Sequence, residues 1–311
     1  MADPLRLPQR THVYQNHHMD STRWDYVVLR DDDIVIATSY KAGTTWTQSI
    51  VANLLFHGRE FPAPLSQMSP WVDSRFAPLE VILNELKGQK HRRFLRTHLP
   101  LDGLEYREDL KYLYVARDAR DVFMSLWNHY TELTDEAFLR INLTLGRVGD
   151  EFPPAPTDIR ALWRSWMTRG WFEWETDGWP YWSHLYSVQS WWDYRHLPNV
   201  QLIHFADMIG DTEREVRRIA AFLGIDDVSD DAWATIVKNV SFAEMKKHGE
   251  KYAPGGGSFW KGGAATFIHK GTNGRWREVL TDEDLELYDA ACERSLTPEC
   301  RKWLENGGPI A

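Results

Sequence analysis

The stretch Asp33-Ile34-Val35-Ile36-Ala37-Thr38-Ser39-Tyr40-Lys41-Ala42-Gly43-Thr44-Thr45-Trp46 decides the fold. Its first six residues are short, apolar and β-branched, the composition of a buried strand. Ser39 to Thr44 follow as a turn with the make-up of a phosphate loop. Trp46, Ile50, Val51, Leu54 and Leu55 then fall on one face of a helix. Backbone N–H groups at such a strand-to-helix turn, helped by the helix N-terminus, form an anion site. The nucleotide-triphosphatase pattern places its lysine after the second glycine and a hydroxyl on magnesium. Here Lys41 precedes the lone Gly43, and Thr44 and Thr45 follow.

Working outward, strand-like runs recur at Arg93–Thr97, Tyr112–Ala116 and Val200–Phe205. Helix-like runs separate them. One carries Val122, Leu126, Tyr130 and Leu133 in register, and another spans Thr212 to Leu223. This alternation predicts one α/β domain over 1–311, with a central, mostly parallel sheet flanked by helices. Helices are expected again at Asp230–Lys247 and Asp282–Ser295. Between about 134 and 185 the pattern breaks down, and Pro153, Pro154, Pro156 and Pro180 crowd in. That region reads as an aromatic-rich insertion over the sheet. Gly249–Gly274 reads as a long, glycine-rich loop that would act as a lid.

The 311 residues are 43% apolar and 26% charged, enough for a packed core. A net charge of −9 argues against a nucleic-acid partner. No apolar run approaches the ~20 residues that span a bilayer, and the N-terminal stretch lacks a signal core. Cys292 and Cys300 are the only cysteines, so neither a disulfide framework nor a four-ligand zinc site is expected. A cytoplasmic protein without a metal is the default expectation. Within the acidic chain, Met245–Arg277 holds seven Lys/Arg against Glu250, a surplus of six positive charges. That surplus predicts an anion site. Sixteen tryptophans are present, eight of them between Trp163 and Trp192. They are read as an aromatic lid over a ligand pocket.

Three further segments carry chemistry. Arg117 stands at the carboxyl end of a predicted strand, where ligands of open α/β sheets bind, and Ser125 lies on the next helix. Arginine offers a fork that matches phosphate geometry. Arg96-Thr97-His98-Leu99-Pro100 also ends a strand, and a histidine there can serve as a general base. His269-Lys270-Gly271-Thr272-Asn273-Gly274-Arg275-Trp276 closes the basic stretch. A phosphate loop on a parallel sheet also suits an ATP-dependent small-molecule kinase, or a non-catalytic nucleotide-binding module.

Taken together and in order, these segments resemble the cytosolic sulfotransferase family, and in particular bacterial members near the glycolipid sulfotransferases. That family's phosphosulfate loop reads Y-P-K-S-G-T-T-W, against Ser39–Trp46 here. Its K-T-H-L-P is similar to Arg96–Pro100. Its Arg and Ser eight apart match Arg117 and Ser125, and its late R-K-G-x-x-G-D-W matches His269–Trp276. The resemblance implies 3′-phosphoadenosine 5′-phosphosulfate as donor, 3′-phosphoadenosine 5′-phosphate as product, and no metal. It implies Lys41, Ala42, Gly43, Thr44 and Thr45 as the cradle of the 5′-phosphosulfate, and Trp46 as the adenine face. Arg117 and Ser125 would hold the 3′-phosphate, and Phe205 and Phe242 would flank adenine. His269, Lys270 and Gly271 would form the late lid. His98, Lys41 and Ser125 would be catalytic, with His98 the base and Ser125 restraining the lysine. The acceptor would be a small phenol, alcohol or glycolipid, or an amine.

The chain departs from the family pattern at His269 for arginine, Arg96 for lysine, Ala42 for serine and Val240 for threonine. The family dimer pattern appears only as Arg277, Thr281, Asp282 and Glu286, so a homodimer is a weakened expectation.

Overall fold

A computed structural model describes residues 7–144 and 146–310. The first six residues of the N-terminal stretch read above lie outside that range. Four strands form one sheet: β1 (Ile34–Thr38), β2 (Phe94–Thr97), β3 (Lys111–Ala116) and β4 (Val200–His204). Their order is β2-β1-β3-β4, and every pairing is parallel. Ile36 faces Arg96 on one side and Leu113 on the other. All four strands fall within a residue or two of the runs read from the sequence.

A parallel sheet needs cover on both faces, which is why β1 is buried at every position and apolar from Ile34 to Ala37 rather than alternating. Val35 and Ala37 enter one core, with Tyr112, Tyr114 and Ala116. Ile34 and Ile36 enter the other, with Leu113 and Val115. The second core is closed by α1 (Thr44–Leu55) and by a later helix at Thr212–Leu223. The first is closed by α2 (Ala119–Thr131), α3 (Ile159–Thr168), α4 (His184–Trp192) and α5 (Asp282–Ser295). Caps fix where these helices begin. Asp118 accepts from the Arg120 amide, Ser183 from the Tyr186 amide, and Thr281 forms a capping box with Asp284.

The structure differs from the sequence reading in three places. The expected helix over Asp230–Lys247 is two, Asp230–Asn239 and Phe242–Lys247, because Ser241 caps the second through the Glu244 amide. The glycine-rich stretch folds into short turns at Gly249–Tyr252, Pro254–Gly257 and Ala264–Phe267. The tryptophans, finally, are mostly core. Trp163, Trp166, Trp182, Trp191 and Trp192 are buried. Trp182 alone of the eight lines the large cavity. Each fully buried aromatic of this size contributes on the order of 2–3 kcal/mol of apolar transfer, so packing explains the cluster better than ligand contact does.

Candidate active site

The carboxyl ends of β1, β2 and β3 open into one cavity of about 600 Å³. Lys41, Gly43, Thr44, Thr45, Trp46, His98, Arg117, Ser125, Phe205, Phe242, His269, Lys270 and Gly271 all line it. Ala42 does not, being fully buried behind the loop.

The loop after β1 is shaped by two unusual backbone conformations. Lys41 has φ +53° and Gly43 has φ +122°. A Cβ on Gly43 would lie 3.0 Å from the Phe205 ring and 3.4 Å from Val115 Cγ1. Glycine is required there by conformation and by space. Gly43→Ala is expected to cost about 1–3 kcal/mol of unfolding free energy. Denaturant melts would read this as a lower midpoint at unchanged slope.

The loop is braced from behind. The Trp166 indole donates to Tyr40 Oη at 2.7 Å, and Tyr40 Oη donates to the Trp182 carbonyl at 2.8 Å. His184, fully buried, hydrogen-bonds Ser39 Oγ through Nδ1 and the Arg117 carbonyl through Nε2 at 3.0 Å. The ends of β1 and β3 are thereby tied through one ring. Sequence reasoning missed these supports, since buried tryptophans and a lone histidine carry no spacing signal.

Thr38 joins the loop to His98. Its Oγ1 lies 2.7 Å from Thr44 Oγ1 and 3.1 Å from His98 Nδ1. Its carbonyl lies 2.9 Å from the same Nδ1. A carbonyl accepts only, so Nδ1 carries the proton and Nε2 keeps its lone pair. Burial pushes the His98 imidazole down to about 3, and Arg96 adds to the shift before Lys41 does. The side chain is therefore neutral and able to accept a proton. Trp71 packs edge-on against it at 4.7 Å.

Lys41 is half-buried and held down to about 7, chiefly by desolvation and then by Arg117. Its Nζ lies 3.2 Å from Nδ1 of His129. The expectation gave this partnership to Ser125. His129 sits one turn further along α2, four residues on, and no spacing in the sequence ties it to Lys41, 88 residues away.

The cationic half is built from distant segments. Arg117 is buried, its guanidinium 4.2 Å over the Phe205 ring. It donates from Nε to Asn273 Oδ1 at 3.0 Å and from Nη2 to the Thr272 carbonyl at 2.9 Å. Asp121 accepts from the Gly274 amide, pinning the late segment to α2. Gly271 has φ +63°, and a Cβ there would lie 2.4 Å from the Phe242 ring. Trp46 donates to the Val240 carbonyl at 2.8 Å and meets Phe205 edge-on. His269 is held below its usual value by burial and by Arg275, Lys270 and Lys246. An aromatic slot and a cluster of cationic donors thus face one space, a fit for a nucleotide carrying several negative charges.

The other half is apolar and aromatic, with Trp71, Phe76, Tyr181, Trp182, Phe259 and Trp260. Among the described residues no His/Cys/Asp/Glu group is arranged to hold a metal ion, and no helix is long and apolar enough to cross a membrane.

Known proteins resemble this chain in sequence and in fold. The sulfotransferase domain family matches residues 31–303. A glycolipid sulfotransferase of Mycobacterium tuberculosis is 30% identical over 311 residues, covering 95% of this chain and 94% of that protein. Rat sulfotransferase 1A1 is 26% identical over 274 residues, covering 86% and 85%. Among solved structures, a mouse sulfotransferase complexed with PAP superposes with TM-score 0.65 at 22% identity, covering 91% of this chain and 92% of that one. A retinol dehydratase in complex with androsterone and PAP gives TM-score 0.64 at 22% identity, covering 89% and 84%.

Proposed function

The chain belongs to the sulfotransferase family, and on that premise we propose that it moves a sulfuryl group in line from 3′-phosphoadenosine 5′-phosphosulfate to a hydroxyl of a small lipophilic or aromatic acceptor. The observation that carries the reading is Thr38. One residue hydrogen-bonds both the start of α1 and His98, so the anion cradle and a neutral imidazole are held in a fixed relation.

The donor supplies an activated sulfuryl group. Such a transfer needs positioning and charge stabilisation more than covalent help. His98 Nε2 takes the acceptor's proton as the acceptor oxygen bonds to sulfur. The bond from sulfur to the bridging oxygen breaks, and its electron pair stays on that oxygen. Lys41, Thr45 and the loop amides stabilise the charge that grows there. Arg117, Ser125, His269 and Lys270 hold the 3′-phosphate, and Trp46, Phe205 and Phe242 hold adenine. The aromatic half of the cavity suits a phenol, a lipophilic alcohol or the sugar face of a glycolipid. The glycolipid activity named for the mycobacterial relative favours testing that class first.

Thermal unfolding separates this reading from its rivals. A ligand at 100 times its Kd adds about 2.7 kcal/mol of stability, so 3′-phosphoadenosine 5′-phosphate is expected to raise the Tm by several degrees. ATP with magnesium should leave it nearly unchanged, and the reverse ranking would indicate a kinase. A panel of phenols, steroids, fatty alcohols and glycolipids with labelled donor then reads transfer. Stabilisation without transfer to any acceptor would indicate a binding module.

A further inference from the structure

The Lys41 ammonium is caged. Its Nζ meets His129 Nδ1 at 3.2 Å and lies 4.8 Å from the centre of the Phe267 ring. The His129 ring packs 5.0 Å from Trp260, which packs 4.7 Å from Phe267. The charged and titratable groups facing Lys41 are Arg117 from the end of β3, His98 from beyond β2 and His129 from α2. The turn at Ala264–Phe267 contributes an aromatic face. Desolvation and Arg117 therefore both oppose the lysine's charge, while His129 supplies a hydrogen-bond acceptor that favours it.

An imidazole that accepts from an ammonium presents a bare Nδ1, so His129 is the neutral tautomer with its proton on Nε2. Burial, then Lys41 and His98, hold it well below the usual histidine value, which keeps the ring neutral.

We propose that His129 is a positioning residue for Lys41: its Nδ1 holds the lysine in the ammonium form and fixes where that charge stands in the cavity. Neither the phosphate-loop pattern nor the general-base role of His98 calls for a histidine here. The catalytic consequence rests on the sulfuryl-transfer reading above, but the effect on the proton affinity of Lys41 does not.

The sign follows from the hydrogen bond. Without it the ammonium loses a favourable contact, so Lys41 gives up its proton at a lower pH. The alkaline limb of kcat/KM for the donor then moves to lower pH as well.

The test labels the lysine side chains for NMR and assigns Lys41 by the loss of its signal in Lys41→Arg. Its titration is followed in the wild type, His129→Phe and His129→Gln. Phenylalanine fills similar space without an acceptor and is expected to lower the midpoint by about one pH unit, the scale of one hydrogen bond to a charged group. Glutamine, whose Oε1 accepts, is expected to restore most of that shift. The donor-dependent kcat/KM profile should move in parallel. Equal midpoints in all three proteins, or a rise in His129→Phe, overturn the proposal. If the midpoint shifts but the wild type transfers no sulfuryl group, the transfer reading fails while the positioning role stands. If transfer proceeds and the midpoint stays fixed, the positioning role fails alone.

Discussion

In His98→Ala, turnover is expected to fall by about two to four decades, the usual worth of a positioned general base. Affinity for 3′-phosphoadenosine 5′-phosphate should change little, since the residues proposed to hold the nucleotide lie on other segments. His98→Asn sharpens the test. Its amide can still donate to the Thr38 carbonyl, so it preserves the hydrogen bond at 2.9 Å while removing the base. Both variants should be equally slow. Near-normal turnover in either would remove His98 from the chemistry. The pH profile follows from the same surroundings. Because burial and the cations Arg96 and Lys41 keep His98 down to about 3 in the free protein, it is already unprotonated at pH 5. The acid side of kcat/KM should therefore show no break near 6.5. A break there that disappears in His98→Ala would mean that the imidazole is far more solvated than its position beside Trp71 implies.

Arg117→Ala carries the second large effect. Its guanidinium is buried, stacked on Phe205 and aimed along the late segment. Losing a charge-assisted forked contact costs about 2–3 kcal/mol, or roughly 30- to 150-fold in affinity. That loss should fall on 3′-phosphoadenosine 5′-phosphate, while adenosine 5′-phosphate, which lacks the 3′-phosphate, should bind within a few-fold of its wild-type affinity. The comparison is internal, so a general loosening of the protein would weaken both ligands. Equal losses would place the 3′-phosphate elsewhere. Arg117→Lys should recover only part of the gap, because a point charge cannot form the fork.

What was legible in the sequence follows from which physical signals are local. A strand buried on both faces is mostly apolar, so the runs Ile34–Ala37 and Tyr112–Ala116 announced themselves. The turn between Thr38 and Thr44 was legible because a lysine, a glycine and two threonines in that order have few other uses. The helices at Thr212–Leu223 and Asp282–Ser295 were equally local, read from the run of residues each contains. His129 was not legible as a partner of Lys41. It is 88 residues away, and on its own helix it occupies an ordinary position one turn after Ser125. The tryptophans misled for a related reason. Composition records that Trp166 and Trp182 are numerous kin, but not that one donates to Tyr40 while the other's carbonyl accepts from it. The Gly249–Gly274 stretch looked structureless because glycine permits many conformations, while the turns it adopts are set by packing against Leu133 and α2.

The braces behind the phosphate loop have a consequence for the birth of the protein. Ser39 leaves the ribosome 145 residues before His184, and Arg117 leaves 156 residues before Asn273. At translation rates of about 5–20 residues per second, the loop waits roughly 7–29 s for its clasp. The clasp waits again for the late segment. A nascent chain halted before residue 184 would carry the whole phosphate loop and still lack the scaffold that gives it shape. Competence to capture an anion should appear late in synthesis, and in steps, on ribosomes stalled at successive lengths.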